Sequence, residues 1–319
     1  MLSHNFGTSP NIEKESIHVS VLIGTRNRYS PLIRCLNTIL SQNYPYFEII
    51  ILDDSSQEKI EYFVKAHFTD PRIKFLRSEK HLGVAGGRNI LMQKAKGNIY
   101  LFIDDDAYFL ENNSIEKIVN YFIQNTNVGI LAFKVINYQN THSELYIPFP
   151  KYYIKKRKNI AEYEKLVSYF LGTSHAIRNK VIENCGYYPE NLVYGGEEMY
   201  LSYKAISKGF SILYIPDIIV HHYPKASTIE DKSAEKSESY YNIRNKIWFI
   251  YSYVPKKYFL SNIVISIIIN GISSLKSNQL LDFFRGIKDG ILKLGSLRHY
   301  SLYKNTLTYL KKNFGRLWY

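Results

Sequence analysis

Apolar runs of strand length alternate with stretches of helical period through the first third of this chain. Val19-Ser20-Val21-Leu22-Ile23-Gly24-Thr25, Phe47-Glu48-Ile49-Ile50-Ile51-Leu52 and Ile99-Tyr100-Leu101-Phe102-Ile103 are rich in Ile, Leu and Phe. Such runs suit strands covered on both faces. After the first run, Leu32, Leu36, Ile39 and Leu40 mark one helical face, with Ser30 as N-cap and Pro31 as the first helical residue. Glu58 to Phe68 reads as a helix stopped before Pro71. Ile73 to Leu76 is a short strand, and Gly83-Val84-Ala85-Gly86-Gly87-Arg88-Asn89 is a glycine-rich loop feeding a helix from Ile90 to Lys96. Further on, the pattern predicts a helix over Ser114–Gln124, a strand over Val128–Val135 and an extended stretch over Leu171–Arg178. The stretch Gly195–Leu201 opens a helix reaching Lys208, and strands over Ser211–Ile215 and Ile218–Val220 follow. This alternation predicts an α/β fold with a mostly parallel mixed sheet flanked by helices. Residues 138–165 are rich in Tyr and Lys and weakly patterned, so a mobile excursion over a binding cleft is expected there.

Polar groups gather where the strands end. The third long run stops abruptly at Asp104-Asp105-Asp106. Three adjacent carboxylates repel one another and persist where water or a cation compensates them. In α/β sheets ligands bind at the carboxyl ends of strands, so the triplet is either a ligand site or a solvated acidic turn. Thr25-Arg26-Asn27 and Asp53-Asp54 close the other two runs. The glycine-rich stretch reads either as close backbone approach to a phosphate or sugar, with Arg88 as the cation, or as a flexible helix entry. Glu197 and Glu198 stand in a first helical turn, where the macrodipole alone favours carboxylates. His221 and His222 are adjacent in a strand and point to opposite faces, so at most one lines a site. Carboxylates for a divalent cation, a cation against a leaving diphosphate and a separate carboxylate to take a proton would together serve sugar transfer from a nucleotide donor.

The ordered set of these stretches resembles the bacterial family 2 glycosyltransferases of GT-A fold. The resemblance runs from about Val19 to Val254 and rests on Val19–Arg28, Ile51–Ser56, Gly83–Asn89, the DXD-like Asp104-Asp105-Asp106, Gly186-Tyr187-Tyr188-Pro189-Glu190 and Gly196-Glu197-Glu198. It implies an inverting, metal-dependent transferase using a nucleoside diphosphate sugar and a glycan or lipid-linked acceptor. It implies that Thr25 and Asp54 line the base pocket, with Arg26, Asn27, Gly87, Arg88 and Asp105 on the donor side. Asp104 would contact the ribose side, and Asp106 with His222 would hold Mn2+ or Mg2+. Gly172 and Thr173 would border the sugar, and Arg244, in Arg244-Asn245, would lie near the diphosphate. Glu198 would be the catalytic base, with Glu197 beside it. Glu198 stands where the family usually has Asp, and Tyr200 where several members keep another Asp.

Charge adds a second theme. The formal net charge is +13. From Tyr240 onward there are thirteen Lys and Arg against two Asp, so this tail carries most of the excess. The expected organisation is a polar segment over residues 1–16, a GT-A domain over 17–254 with a nucleotide-binding half (17–137) and an acceptor-binding half (138–254), and a basic amphipathic helical extension over 255–319. The apolar stretch Tyr258–Ile269, broken by Ser261, Asn262 and Ser266, falls short of the roughly 20 residues that span a bilayer. Helices are expected over Leu281–Leu294 and Tyr300–Lys312. Such a tail suits an anionic membrane surface, or packing on the catalytic domain or on a second subunit. Residues 1–16 show no apolar signal segment, and Cys35 and Cys185 form no framework. Both observations fit a cytoplasmic protein at the inner face of the cell membrane. A basic tail also suits nucleic acid, but no recognised nucleic-acid motif accompanies it. A non-catalytic sugar-nucleotide-binding relative is the other alternative.

Overall fold

A computed structural model describes residues 17–139, 142–157, 159–224 and 236–315; the polar segment over 1–16 lies outside them. The chain begins with β1 (Val19–Thr25), α1 (Tyr29–Leu40), β2 (Phe47–Asp54), α2 (Ile60–His67), β3 (Ile73–Ser78), α3 (Gly83–Lys94) and β4 (Ile99–Ile103). It continues through β5 (Ala107–Phe109), α4 (Ser114–Gln124), β6 (Val128–Gln139), β7 (His142–Tyr146), α5 (Lys151–Lys156), β8 (Lys165–Val167) and β9 (Ser174–Arg178). The last elements are α6 (Asn179–Cys185), α7 (Glu197–Ser207), β10 (Ser211–His222), α8 (Glu238–Tyr253), α9 (Lys256–Lys276), α10 (Leu280–Leu292) and α11 (Lys304–Lys312).

One sheet, in the order β3-β2-β1-β4-β9-β6-β10-β5, runs through the molecule. Strands β1 to β4 pair in parallel, while β9 is antiparallel to both β4 and β6. The mostly parallel pattern therefore holds for the first half, and β6 with β10 is the parallel pair of the second. Alternate residues of each inner strand feed separate cores. Val21, Ile23, Ile49, Ile51 and Leu101 pack with α1, α2 and α4; Leu22, Ile50, Leu52 and Phe102 pack with α3, α7 and α8. Burial on both faces is why these runs lack polar alternation.

The strand order reverses between β1 and β4, since β2 and β3 lie on one side of β1 and β4 on the other. Such a switch point opens a crevice at the strand ends, and here it sets the loop after Thr25 beside Asp104–Asp106.

Several elements differ from the sequence expectation. The glycine-rich stretch is no loop: Gly83 to Asn89 form the first two turns of α3. Helix α1 begins at Tyr29, ahead of Ser30 and Pro31, with no side-chain cap. The two strands expected over 211–220 are one, β10, with a register shift between Ile215 and Ile219, where Pro216 has no N–H to pair. Residues 138–165 hold β7, which pairs with β6, and α5, in place of an irregular excursion. Helix α9 is 21 residues long, so the apolar stretch expected to fall short of a bilayer span belongs to a helix long and apolar enough to make one. Phe283 of α10 and Leu310 of α11 join the same core as β1 and β4, and Tyr309 donates its hydroxyl to the Val167 carbonyl of β8 at 3.0 Å.

Candidate active site

Strand β4 ends at Ile103, and the chain turns through the three aspartates into β5. Thr25 Oγ1 donates to Asp105 Oδ2 at 2.7 Å. Arg28 Nη1 reaches Asp106 Oδ2 at 2.7 Å and Asp105 Oδ1 at 3.3 Å. Asp105 and Asp106 are both buried, and Arg28 supplies the charge that buried carboxylates require. Asp105 thus has both oxygens engaged inside the protein. These contacts tie the loop after β1 to the end of β4. Burial pushes the Asp105 carboxyl above its usual range, against the pull of Arg28. Burial acts on Asp106 in the same direction, but the His222 hydrogen bond and the His222 and Arg28 charges outweigh it and hold Asp106 low.

The histidine arrives by strand pairing. Strand β5 runs antiparallel to the end of β10, with His222 opposite Ala107 and His221 opposite Tyr108. His222 Nε2 lies 3.2 Å from Asp106 Oδ1, while His221 packs against the Tyr138 ring at 5.1 Å. Of the two, it is His222 that faces the aspartates. One ligand atom from each of Asp104, Asp106 and His222 lies within 4.8 Å of the others. Carboxylate oxygens with one imidazole nitrogen form a donor set that fits a divalent cation, and Arg28 on Asp106 shows that positive charge is accepted there.

A second cluster faces the first. Arg88, buried on α3, donates from Nη1 to Glu197 Oε1 at 3.0 Å and Glu198 Oε1 at 3.1 Å. Its Nη2 donates to the Gly172 carbonyl at 2.9 Å and approaches Asp104 Oδ1 at 3.8 Å. Glu197 is 2% exposed, whereas 18% of the Glu198 side chain is open to solvent. Burial, then the Glu198 charge, pushes the Glu197 carboxyl well up, and Arg88 opposes both. Strand β9 pairs antiparallel with β4, with Ser174 opposite Ile103, so Gly172 and Thr173 fall beside the triplet. The Thr173 carbonyl accepts from Asp104 N at 2.9 Å. A Cβ on Gly172 would stand 2.2 Å from Glu198 Oε1, so only glycine leaves room for that carboxylate.

Other expected residues lie around these two clusters. Asp54 accepts from Leu82 N at 2.7 Å and Gly83 N at 3.0 Å, and its Oδ2 lies 2.8 Å from His81 Nδ1. It therefore caps the start of α3 from another strand. Each carboxylate oxygen has a second lone pair, so a contact with a base is still open to it. Gly83 adopts φ +73°, and a Cβ there would meet the Val193 carbonyl oxygen at 2.5 Å. Val193 itself sits at φ 39°, a strained value for a β-branched residue. Gly87 packs against Leu52, and Arg26 and Asn27 lie in the open loop after β1. Arg244 is buried beneath the Tyr241 and Trp248 rings and donates to Asn245 Oδ1 at 2.8 Å and the Asn191 carbonyl at 2.9 Å. Among the described contacts, none joins Arg244 to the aspartates. Asn245 in turn donates to the Leu192, Tyr194 and Gly195 carbonyls, fixing the turn that launches Glu197 and Glu198. Sequence reasoning missed Arg28 and Asn245 as site-building residues. The signal for each was its neighbour in a motif, Asn27 and Arg244.

Solved structures share this architecture. The S. aureus protein TarS 1–349, in complex with UDP-GlcNAc, matches with a TM-score of 0.60 over 88% of this chain and 84% of its own, at 19% identity. The mannosyltransferase PcManGT from Pyrobaculum calidifontis, in complex with GDP-Man and Mn2+, matches with a TM-score of 0.56 over 94% of this chain and 84% of its own, at 16% identity. At such identities the likeness speaks for the fold, and it is the GT-A fold of glycosyltransferases. Residues 20–186, more than half of the chain, match the model of Glycosyl transferase family 2. The chain belongs to that family and is a glycosyltransferase. Among curated relatives, glycosyltransferase AglE of Haloferax volcanii is 27% identical over 64% of this chain and 66% of its own length. The Escherichia coli UDP-Glc:alpha-D-GlcNAc-diphosphoundecaprenol beta-1,3-glucosyltransferase WfgD is 25% identical over 53% of this chain. The matched stretch spans 56% of WfgD.

Proposed function

We propose that this glycosyltransferase moves a sugar, with inversion, from a nucleoside diphosphate sugar to a hydroxyl of a cell-surface glycan or lipid-linked acceptor. The observation that carries the reading is Arg88. It binds the Glu197–Glu198 pair and comes within 3.8 Å of Asp104, so proton-accepting carboxylates and the strand-end aspartates share one cleft.

Glu198 is the base because it alone of the pair is open to solvent, and Arg88 holds its carboxylate in one place. It takes the proton of the acceptor hydroxyl. The freed oxygen pair attacks the anomeric carbon from the side opposite the diphosphate, whose C–O bond breaks. Buried Glu197 backs Arg88 from beneath, and Gly172 leaves space for Glu198. Asp106 and His222, with Asp104 beside them, would hold Mn2+ or Mg2+, which when bound supplies positive charge against the leaving diphosphate. Thr25 and Asp54 border the base, with Arg26, Asn27, Gly87 and Thr173 around the donor and Arg244 behind the Glu197 turn. Two relatives point the same way: WfgD is named for a diphosphoundecaprenol-linked acceptor and TarS 1–349 is complexed with UDP-GlcNAc. A cytoplasmic place at the inner membrane face goes with such an acceptor.

A thermal-shift series with UDP, GDP and dTDP, each with and without Mn2+, tests this. One nucleotide should raise Tm in a cation-dependent way, because a ligand of the native state stabilises it. Asp106→Ala should abolish the cation-dependent part. Cation-dependent stabilisation that persists in a folded Asp106→Ala protein would overturn the assignment.

A further inference from the structure

Helix α9 turns apolar residues toward solvent as well as toward the core. Its inward face presents Phe259, Ile263 and Ile267 to the core, with Asn262, Ser266 and Ser274 buried among them. Its outward face carries Leu260, Val264, Ile268, Ile272 and Leu275, which are between 46% and 73% exposed. Steps of four, four, four and three residues set these five along one stripe of a helix. The inward polar groups bond within the helix: Asn262 Nδ2 donates to the Tyr258 carbonyl at 2.9 Å and Ser274 Oγ to the Asn270 carbonyl at 2.7 Å. In water the driving force is to bury the Ile and Leu and expose the Ser and Asn. A second apolar stripe left outside, while Asn and Ser take buried positions, makes sense where the outer solvent is apolar.

Basic residues frame the stripe. Lys256 and Lys257 stand at its start and Lys276 at its end, all exposed. Helix α10 adds exposed Leu281, Phe284 and Leu292, with exposed Arg285, Lys288 and Lys293 among them. We propose that α9 and α10 dock this face on an anionic bilayer surface, the apolar stripe sinking into the headgroup–acyl boundary and the lysines meeting lipid phosphates. By length and composition α9 is the one helix among the described residues able to cross a membrane. It lies in the plane instead, because α10, which shares its core, carries Asp282, Arg285, Lys288 and Asp289, all costly in hydrocarbon. A second copy of this chain is disfavoured as occupant, since a like face would set lysine against lysine. The inference stands apart from the sugar-transfer reading, and its test uses no nucleotide.

The full chain is sedimented with vesicles of phosphatidylcholine alone and of phosphatidylcholine mixed with phosphatidylglycerol. The mixed vesicles should bind it more tightly, and less so as salt rises. Ile268→Gln/Ile272→Gln removes the centre of the stripe at exposed positions, so Tm should hold while partitioning falls about tenfold or more. Lys256→Glu/Lys257→Glu should lower binding to the mixed vesicles by about tenfold and leave phosphatidylcholine binding alone. Absence of wild-type binding to mixed vesicles overturns the proposal, as does unchanged binding of a folded isoleucine variant. If light scattering shows that the isoleucine variant turns a dimer into a monomer without changing vesicle binding, the face belongs to a second copy and the proposal falls.

Discussion

Gly172→Ala puts the assignment of Glu198 under direct strain. The added methyl would lie 2.2 Å from Glu198 Oε1, 3.1 Å from Arg88 Nη2 and 3.3 Å from Glu198 Cδ. To restore an ordinary contact near 3.4 Å, the carboxylate must retreat by about 1 Å. The obstructing atom is the far end of a flexible side chain, so the fold adjusts cheaply and stability should change by less than about 1 kcal/mol. Catalysis should not adjust, because a misplacement of about 1 Å in a reacting group costs about 10²-fold in rate. The retreat also breaks the 3.1 Å contact that orients Glu198 on Arg88. The assay is initial-rate kinetics at saturating donor and acceptor, beside nucleotide affinity by calorimetry. The expected result is a kcat lowered about a hundredfold with nucleotide Kd and Tm near wild type. A kcat within threefold of wild type, in a protein whose Tm is unchanged, would refute the reasoning, because the base would then not be the carboxylate that this glycine accommodates.

Glu198→Gln should keep nucleotide binding and stability and lower kcat by ~10²–10⁴, the range for loss of general-base catalysis; if Glu197→Gln alone shows that collapse, the roles exchange. Asp54→Ala should cost about 1–2 kcal/mol in urea unfolding, because it removes the carboxylate that caps α3, and an unchanged midpoint would show that the cap carries no weight. Glu48 is buried on β2 and bonds to Ser20 Oγ, Lys74 Nζ and Lys96 N at 2.6, 2.6 and 2.9 Å. Burial alone would raise its carboxyl, but these bonds outweigh burial and hold it below the ordinary 4.5. A depressed folded-state pKa means that the stabilisation is fully present above about pH 4.5 and is lost as pH falls through the folded value. Glu48→Gln should therefore cost about 1–3 kcal/mol at pH 7 and flatten the acid limb of a Tm–pH curve, and parallel acid limbs for the two proteins would contradict this.

What the chain carries locally was legible in it. Residues that alternate between two cores, such as Leu22 against Val21 and Ile23, leave an unbroken apolar run, and that run identifies β1, β2 and β4 without any partner in view. Polar groups at the ends of those runs followed, because strand ends are where a buried segment meets solvent. The proposal of Glu198 as base rests on motif order, which the chain also carries. Tertiary structure decided everything that depends on which strands are neighbours. Arg28 meets Asp105 across 77 residues, and Arg88 meets Glu197 across 109, contacts that no periodicity encodes. His222 reaches Asp106 because β5 pairs with the end of β10, which is a matter of strand order. The glycine-rich stretch is helical because Asp54, 28 residues before Leu82, satisfies its first N–H groups, whereas glycine's intrinsic preference argued for a loop. The outward turn of α9 was likewise hidden. Composition shows that a helix mixes Ile with Ser and Asn, but which face looks out depends on the groups α8 and α10 present to it, and those are placed only when the chain has folded.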